Sequence, residues 1–130
     1  MAGELETIVR DVFDSVNRKD FDAVLRVTDE DVQGVDEISR RWLRGLDEVT
    51  EHWHQGLMPV EDIRTELRDV QETIFGEAGI FTCWGEQDYT LEGTAQHVSG
   101  PMTVVFRRRG DSWKIVLFHS VPLPEEDVRE

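Results

Sequence analysis

Two side chains of this chain could carry acid–base chemistry, His54 and Glu86. Glu86 directly follows Gly85 within a long β-rich run, and His54 follows Trp53 in a segment with helical periodicity. An apolar setting raises the pKa of a carboxylic acid towards neutrality and favours neutral His, so either group could act as a general acid or base. Each also has a simpler interpretation, which is a solvated strand-end carboxylate for Glu86 and a surface position for His54.

Other reaction centres find no support in the sequence. Cys83 is the single Cys, which excludes an intramolecular disulfide and a thiolate metal cluster within one chain. His52 and His54 are two positions apart, so they do not share a helix face and are poorly placed to hold one metal ion. No Gly-rich phosphate loop or nucleophile elbow is present. We therefore expect no metal and no cofactor.

The charge balance limits the classes of partner. The 130 residues include 28 acidic and 14 basic side chains, which give a formal net charge of −14. Such a field repels phosphate backbones and anionic lipids. The run Arg107 to Arg109 lies at a strand end, where alternate side chains point to opposite faces, and it is expected to form a solvated rim. With no apolar run long enough to span a bilayer and no signal segment, the sequence predicts a cytoplasmic protein that binds neither nucleic acid nor membrane.

The first half of the chain has helical periodicity. Apolar residues recur at helix spacing from Leu5 to Val16, which predicts an amphipathic helix. Asp20 is a suitable N-cap for a second, shorter helix that begins with Phe21. A weak extended segment is expected around residues 32–38, and a third helix that carries Trp53 begins near Leu46.

The second half changes to the period of two that is typical of strands. A change of parity near Arg68 and Asp69 predicts a β-bulge. A long strand follows from Ile80 to Leu91, and a last hairpin pairs residues 102–109 with residues 113–121 through the turn at Gly110 and Asp111. Helices followed by antiparallel strands indicate an α+β fold in one domain, residues 1–124, with an acidic tail at 125–130.

Three features carry a resemblance to a known family. They are the run Arg18-Lys19-Asp20-Phe21 between the first two helices, Gly45 before the third, and the closing strand Trp113-Lys114-Ile115-Val116-Leu117-Phe118-His119-Ser120. Together with the order of elements, they resemble the SnoaL-like branch of the nuclear transport factor 2-like, or ketosteroid isomerase-like, superfamily. The closing strand is also similar to that of the calcium/calmodulin-dependent protein kinase II association domain.

The resemblance implies a cone-shaped barrel in which a strongly curved, mainly antiparallel sheet of cystatin-like type packs on three N-terminal helices. It also implies a ligand pocket between sheet and helices, where we expect these residues: Trp53, Trp84, Met102, Val104, Phe106, Val116 and Phe118. Glu86 would share their inward orientation. The opposite parity of the closing strand, Trp113, Ile115, Leu117 and His119, would then face outward and form a homodimer interface, unless the C-terminal tail covers that face.

Two functions remain open on the sequence. The first is binding of an apolar small molecule in the cone, with isomerase, cyclase or dehydratase chemistry assisted by His54 or Glu86. The second is a non-catalytic homodimerisation or association module whose cone is filled by its own side chains. A reachable cavity that contains an inward ionisable group favours the first, whereas a filled cone favours the second.

Overall fold

The computed structural model describes residues 3–36, 41–56 and 58–121. They form three helices and six strands. The helices are α1 (Glu4–Asn17), α2 (Phe21–Arg26) and α3 (Leu46–Gly56). The strands are β1 (Thr28–Asp36), β2 (Arg41–Arg44), β3 (Val60–Phe75), β4 (Ala78–Leu91), β5 (Thr94–Arg109) and β6 (Ser112–Ser120).

One curved sheet holds all six strands in the order β2-β1-β6-β5-β4-β3. Only β1 and β6 pair in parallel, and the remaining neighbours are antiparallel. The three helices pack on one side of the sheet, which we call the inner face, and we call the opposite side the outer face. This architecture confirms the predicted fold class, a mainly antiparallel curved sheet packed on three helices.

The helix termini follow local chemistry. The side chain of Asp20 accepts a hydrogen bond from the Ala23 backbone N–H at 3.3 Å, as expected of the predicted N-cap of α2. Gly3, the N-cap of α1, has no side chain to do the same. Instead Glu72 of β3 accepts from the Glu6 backbone N–H at 2.9 Å, so the sheet itself satisfies the start of α1.

Bulges bend the edge strand β3 around α1. The pairing of β3 with β4 shifts between Glu61 and Arg64 and again between Arg68 and Gln71. The second shift confirms the bulge predicted near Arg68. Each shift contains an Asp with a left-handed backbone, Asp62 at φ 53° and Asp69 at φ 56°. An extra residue in one strand increases the local twist and bends the ribbon, which supplies the curvature that the helices fill.

The structure corrects the extent of three strands. The extended segment expected at 32–38 belongs to β1, which begins already at Thr28, and residues 37 and 38 lie outside the described ranges. β2 was not predicted. β5 begins at Thr94 instead of residue 102, so the segment 94–101 pairs with β4. The predicted tail at 125–130 also lies outside the described residues.

Two buried clusters fill the space between sheet and helices. The larger one is centred on Phe81 and Phe106, which are both 0 % exposed, and the smaller one joins Val16 and Val24 to Val60 and Ile63. Glycines on the inner face let large side chains lie directly on the backbone. A Cβ added to Gly34 would lie 2.2 Å from the Phe118 ring. Among the described residues, no helix is long and apolar enough to span a membrane.

A buried carboxylate ties β1 to the end of β5 across the intervening strand β6. Asp29 has a side chain only 1 % exposed, and it accepts hydrogen bonds from Arg109 Nε at 2.8 Å and Arg107 Nη2 at 3.0 Å. The hydrogen bond from Arg109 is the largest of the interactions that hold the pKa of Asp29 well below its ordinary value, against the opposing effect of burial. The ionised form of Asp29 therefore stabilises the folded state.

This pair of contacts predicts a specific acid sensitivity. An unfolded Asp binds a proton near pH 3.9, whereas folded Asp29 stays ionised to lower pH, so its contribution is complete above about pH 5 and is lost as the pH falls towards the folded pKa. Asp29→Asn should lower the unfolding free energy at neutral pH by about 1–3 kcal/mol and flatten its dependence on pH below about 5. Urea titrations from neutral to acid pH measure both effects.

The matched control is Asp31→Asn. Asp31 also lies near Arg107, at 3.8 Å, but its side chain is 76 % exposed, so the substitution should leave the dependence of stability on pH nearly unchanged. Equal curves for Asp29→Asn and the wild type would contradict the account.

Candidate functional site

The inner face of β5 lies where the sequence predicts it. Met102, Val104 and Phe106 all face the helices, since Val104 and Phe106 are buried in the larger cluster and Met102 packs against it. Trp53 of α3 and Phe118 of β6 also pack on this cluster, with ring centroids 6.5 Å apart. These five residues therefore meet inside the fold, in a region that is largely packed.

The closing strand β6 contains a bulge that the sequence did not reveal. Its pairing with β5 passes from Ile115 opposite Phe106 to Leu117 opposite Val105, which leaves Val116 as the extra residue. Val116 is half-buried and lies outside both core clusters. Beyond it, Phe118 faces inward and Leu117 and His119 face outward, as the resemblance implies.

Before the bulge the predicted orientation is wrong. Trp113 and Ile115 are each 6 % exposed and belong to the larger core cluster, so they face the helices. The Trp113 indole Nε1 donates a hydrogen bond to Glu4 of α1 at 2.9 Å. The extra residue Val116 reverses the side-chain alternation, because one inserted residue moves every side chain on one side of it to the other face. Trp113 and Ile115 are therefore core residues and do not belong to a dimer interface.

The predicted orientation of β4 is also wrong by one residue. Phe81 and Cys83 are buried in the core, whereas Trp84 and Glu86 have the opposite parity and lie on the outer face. Trp84 pairs with Arg68 of β3, whose guanidinium lies 5.3 Å from the centre of its ring. Its indole Nε1 is buried and has no hydrogen-bond partner in the described part of the chain. Trp84 thus lies outside the expected pocket.

Glu86 belongs to a network of charges on the outer face. It accepts a hydrogen bond from Arg68 Nη2 at 2.8 Å, and its Oε1 lies 3.2 Å from Nε2 of His97. The other ring nitrogen of His97, Nδ1, lies 2.6 Å from Asp88. The hydrogen bond from Arg68 holds the pKa of Glu86 below its ordinary value. A general acid at neutral pH needs the opposite shift.

His54 also lies apart from the inner face. It is exposed on α3, where its ring meets the edge of Phe21 with centroids 5.7 Å apart and an angle of 77°. Phe21 in turn lies 6.2 Å from Trp53, and His54 is not among the residues of either core cluster. The structure does not bring His54 and Glu86 together.

Cys83 is the one titratable residue of the two buried clusters in the described part of the chain, and Tyr89 packs, partly buried, against the smaller one. Burial raises the pKa of the Cys83 thiol to about 11, so it is neither a thiolate nucleophile nor a base at neutral pH. Within residues 3–36, 41–56 and 58–121, no three His, Cys, Asp or Glu side chains form a group able to hold a metal ion. The inner face is lined mainly by apolar side chains, and neither His54 nor Glu86 belongs to its clusters.

The outer face has a different character. An apolar patch, which we call the outer patch, extends from β2 over β1 to β6, β5 and β4 and consists of Trp42, His119, Leu117, Val105 and Ile80. Trp42 is 45 % exposed and stacks on the His119 ring at 6.4 Å and 21°. Because α1, α2 and α3 all pack on the inner face, none of them covers this patch.

The chain belongs to the SnoaL-like domain family, whose sequence pattern matches residues 5–124. No curated protein sequence matches the chain. Among solved structures, it is similar to a protein of the nuclear transport factor 2-like family from Streptomyces avermitilis. The two are 20 % identical over 92 % of this chain and 94 % of that chain, with a TM-score of 0.84.

Two structures from kinases have the same fold. The CaMKII hub of S. rosetta is 20 % identical over 95 % of this chain and 99 % of that chain, with a TM-score of 0.79. The association domain of C. elegans CaMKII is 15 % identical over 91 % of this chain and 92 % of that chain, with a TM-score of 0.73. At these identities the likeness establishes the fold alone.

Proposed function

We propose that this SnoaL-like protein functions as a homodimeric association module in which the outer patches of two copies pack together. The observation that carries the proposal is the patch itself, in which Trp42 is 45 % exposed and stacks on His119, and the partly buried Leu117, Val105 and Ile80 are paired on adjacent strands. Burying such a patch against its own copy removes apolar surface from water on both chains, and a two-fold interface needs only one self-complementary surface.

The charges around the patch favour a defined pairing. Arg44 lies 5.4 Å from the centre of the Trp42 ring, and the network of Arg68, Glu86 and His97 borders the opposite end of the outer face. An apolar centre with a charged rim is the usual arrangement of a protein interface. The CaMKII structures of the same fold are a hub and an association domain, which supports an association role for the fold without establishing it for this chain.

The interior supports a packed, non-catalytic cone. Phe81 and Phe106 are fully buried at its centre, and Phe118 lies directly against Gly34. Both acid–base candidates are elsewhere, since Glu86 is bonded to Arg68 on the outer face and His54 is exposed on α3. The assignment of catalysis to either group has no geometric support.

Hydroxyl-radical footprinting tests the proposed interface residue by residue. Trp42 should become protected as protein concentration rises, because dimerisation buries it. Met58, which is 51 % exposed in the turn after α3, is the internal control and should be labelled equally at all concentrations. Labelling of Trp42 that does not depend on concentration while the protein dimerises would place the interface elsewhere.

A second function, binding of an apolar small molecule, is favoured by one observation. Trp53, Met102 and Phe118 face the interior but are only partly buried, so a flat apolar ligand could complete their packing. If the protein binds such a ligand, a thermal-shift screen of steroids, polyketide-like phenols and other aromatic compounds should find ligands that stabilise the wild type.

Matched variants identify the site of any such ligand. Met102→Trp should fill the space over Gly85 on the inner face and abolish the stabilisation. His54→Ala and Glu86→Ala should respond like the wild type, because neither side chain faces the interior. No stabilisation by any compound, or equal stabilisation of Met102→Trp, would end this second proposal and leave the association module.

A further inference from the structure

Two clefts adjoin along the surface of α1, apart from both the cone interior and the outer patch. One has a volume of 590 Å³ and the other 330 Å³, and Ile8 and Val27 line both. The clefts therefore meet at these two residues. Together they form a groove, which we call the α1 groove, from Gly3 to Arg18, about 22 Å long at 1.5 Å per helical residue.

Aliphatic side chains form part of the floor of the α1 groove, beside the buried Ser15. Ile8, Val12 and Val27 each pack against the larger core cluster yet remain partly exposed, and Ala23 continues the floor between α1 and α2. A row of half-buried aliphatic side chains can gain further burial from an elongated apolar ligand, in proportion to the area that it covers.

The first cleft concentrates positive charge. Arg26, Arg108 and Lys114 all line it, and in the described part of the chain none of them forms an ion pair with an acidic side chain. Lys114 Nζ donates to the carbonyl oxygen of Arg26, and the Arg108 guanidinium lies 4.9 Å from the centre of the Trp113 ring. Three such cations in one cleft stand out in a chain with a net charge of −14.

The charges of the groove are distributed unequally. In the first cleft, Glu4 already accepts a hydrogen bond from Trp113, and Asp111 is exposed on the β5–β6 turn. In the second cleft, Asp11 and Asp14 form an acidic rim against a single cation, Arg18, which lies 3.9 Å from Asp20. An anion is therefore attracted at one end of the groove and repelled at the other, so an asymmetric ligand has one favoured orientation.

We propose that the α1 groove binds a medium-chain fatty acid. The carboxylate lies in the first cleft among Arg26, Arg108 and Lys114, and the unbranched tail runs over Ile8 and Val27 towards Val12 and Ala23. The three cations favour a carboxylate as the polar head group, and the length and aliphatic residues of the groove favour an unbranched alkyl chain. The site includes none of Trp53, Met102 and Phe118 and no residue of the outer patch, so it does not depend on dimerisation or on a ligand in the cone.

Calorimetric titration with decanoate below its micellar concentration tests the proposal. We expect one decanoate to bind per chain and neutral decanol to bind at least tenfold more weakly. Octanoate should bind roughly tenfold more weakly than decanoate, because two buried CH₂ groups are removed. The double variant Arg26→Gln, Arg108→Gln should bind decanoate at least tenfold more weakly than the wild type. The matched control Arg64→Gln, on the exposed part of β3, removes one positive charge away from the groove and should have no effect.

Amide NMR spectra separate the groove from the cone. Decanoate should shift signals of residues 3–27 and 108–114 and should bind Met102→Trp as tightly as the wild type. Loss of decanoate binding in Met102→Trp, equal binding of decanol and decanoate, or no binding at all would each overturn the proposal. None of these outcomes bears on the homodimer, because the groove and the outer patch share no residue.

Discussion

Leu117→Lys should convert the proposed dimer into a monomer. Leu117 lies at the centre of the outer patch, paired with Val105 on β5 and next to Gln33 on β1. In a two-fold interface the substitution acts twice, and each copy both loses an apolar contact and places an ammonium group against the partner. If each site loses about 1–2 kcal/mol, the two sites together should raise the dissociation constant about 30- to 1,000-fold. Sedimentation velocity over a concentration series measures it.

The fold must survive for this result to be informative. Leu117 is on the outer face, so the circular dichroism spectrum of Leu117→Lys should match that of the wild type, and the core clusters are untouched. Gln71→Lys, an exposed substitution on the same face near the edge of the sheet, introduces the same charge and should leave the dissociation constant within about threefold. An unchanged dissociation constant for Leu117→Lys would remove the outer patch from the interface.

Phe106→Ala should give the largest loss of stability of any change considered. Phe106 is fully buried at the centre of the larger cluster, opposite Gly79 and Ile115 in the sheet, where the neighbouring side chains have little room to collapse. Truncation of a buried Phe costs about 3–5 kcal/mol from lost burial and the cavity left behind. That is a large part of the total stability of an ordinary domain, about 5–15 kcal/mol.

Urea unfolding at one fixed protein concentration measures this loss, because the stability of a dimer depends on concentration. The control is Ile74→Ala at the exposed end of β3, which should cost less than about 1 kcal/mol. A loss below about 1 kcal/mol for Phe106→Ala would show that the interior is loosely packed, and it would favour the small-molecule function over the filled cone.

The helices and the curved sheet could be predicted because their signals are local. The apolar spacing of α1, the N-cap Asp20 and the change of parity near Arg68 each depend on a few adjacent residues. β2 gave no comparable signal, since only Leu43 of its four residues is buried. The segment 94–101 of β5 is largely polar, and it is held by its register with β4 instead of by a buried stripe.

The candidate site was harder to predict because it depends on which face each strand residue occupies. On β4, Ile80 and Trp84 compete with Phe81 and Cys83, so both parities are apolar and the local pattern does not decide between them. On β6, no Gly or Pro marks the bulge at Val116 in the sequence. The bulge places the side chains of Trp113 and Ile115 on the opposite face from the one predicted, while Leu117 and His119 keep the expected orientation. Side chains alternate between the two faces along every strand, but tertiary packing decides which of the two sets faces the helices.

The most direct test of the association module is sedimentation equilibrium of the unmodified protein. We expect the mass of two 15.0-kDa chains at micromolar concentration, and dissociation only on dilution. The mass of a single chain at every concentration up to the limit of solubility would contradict the account.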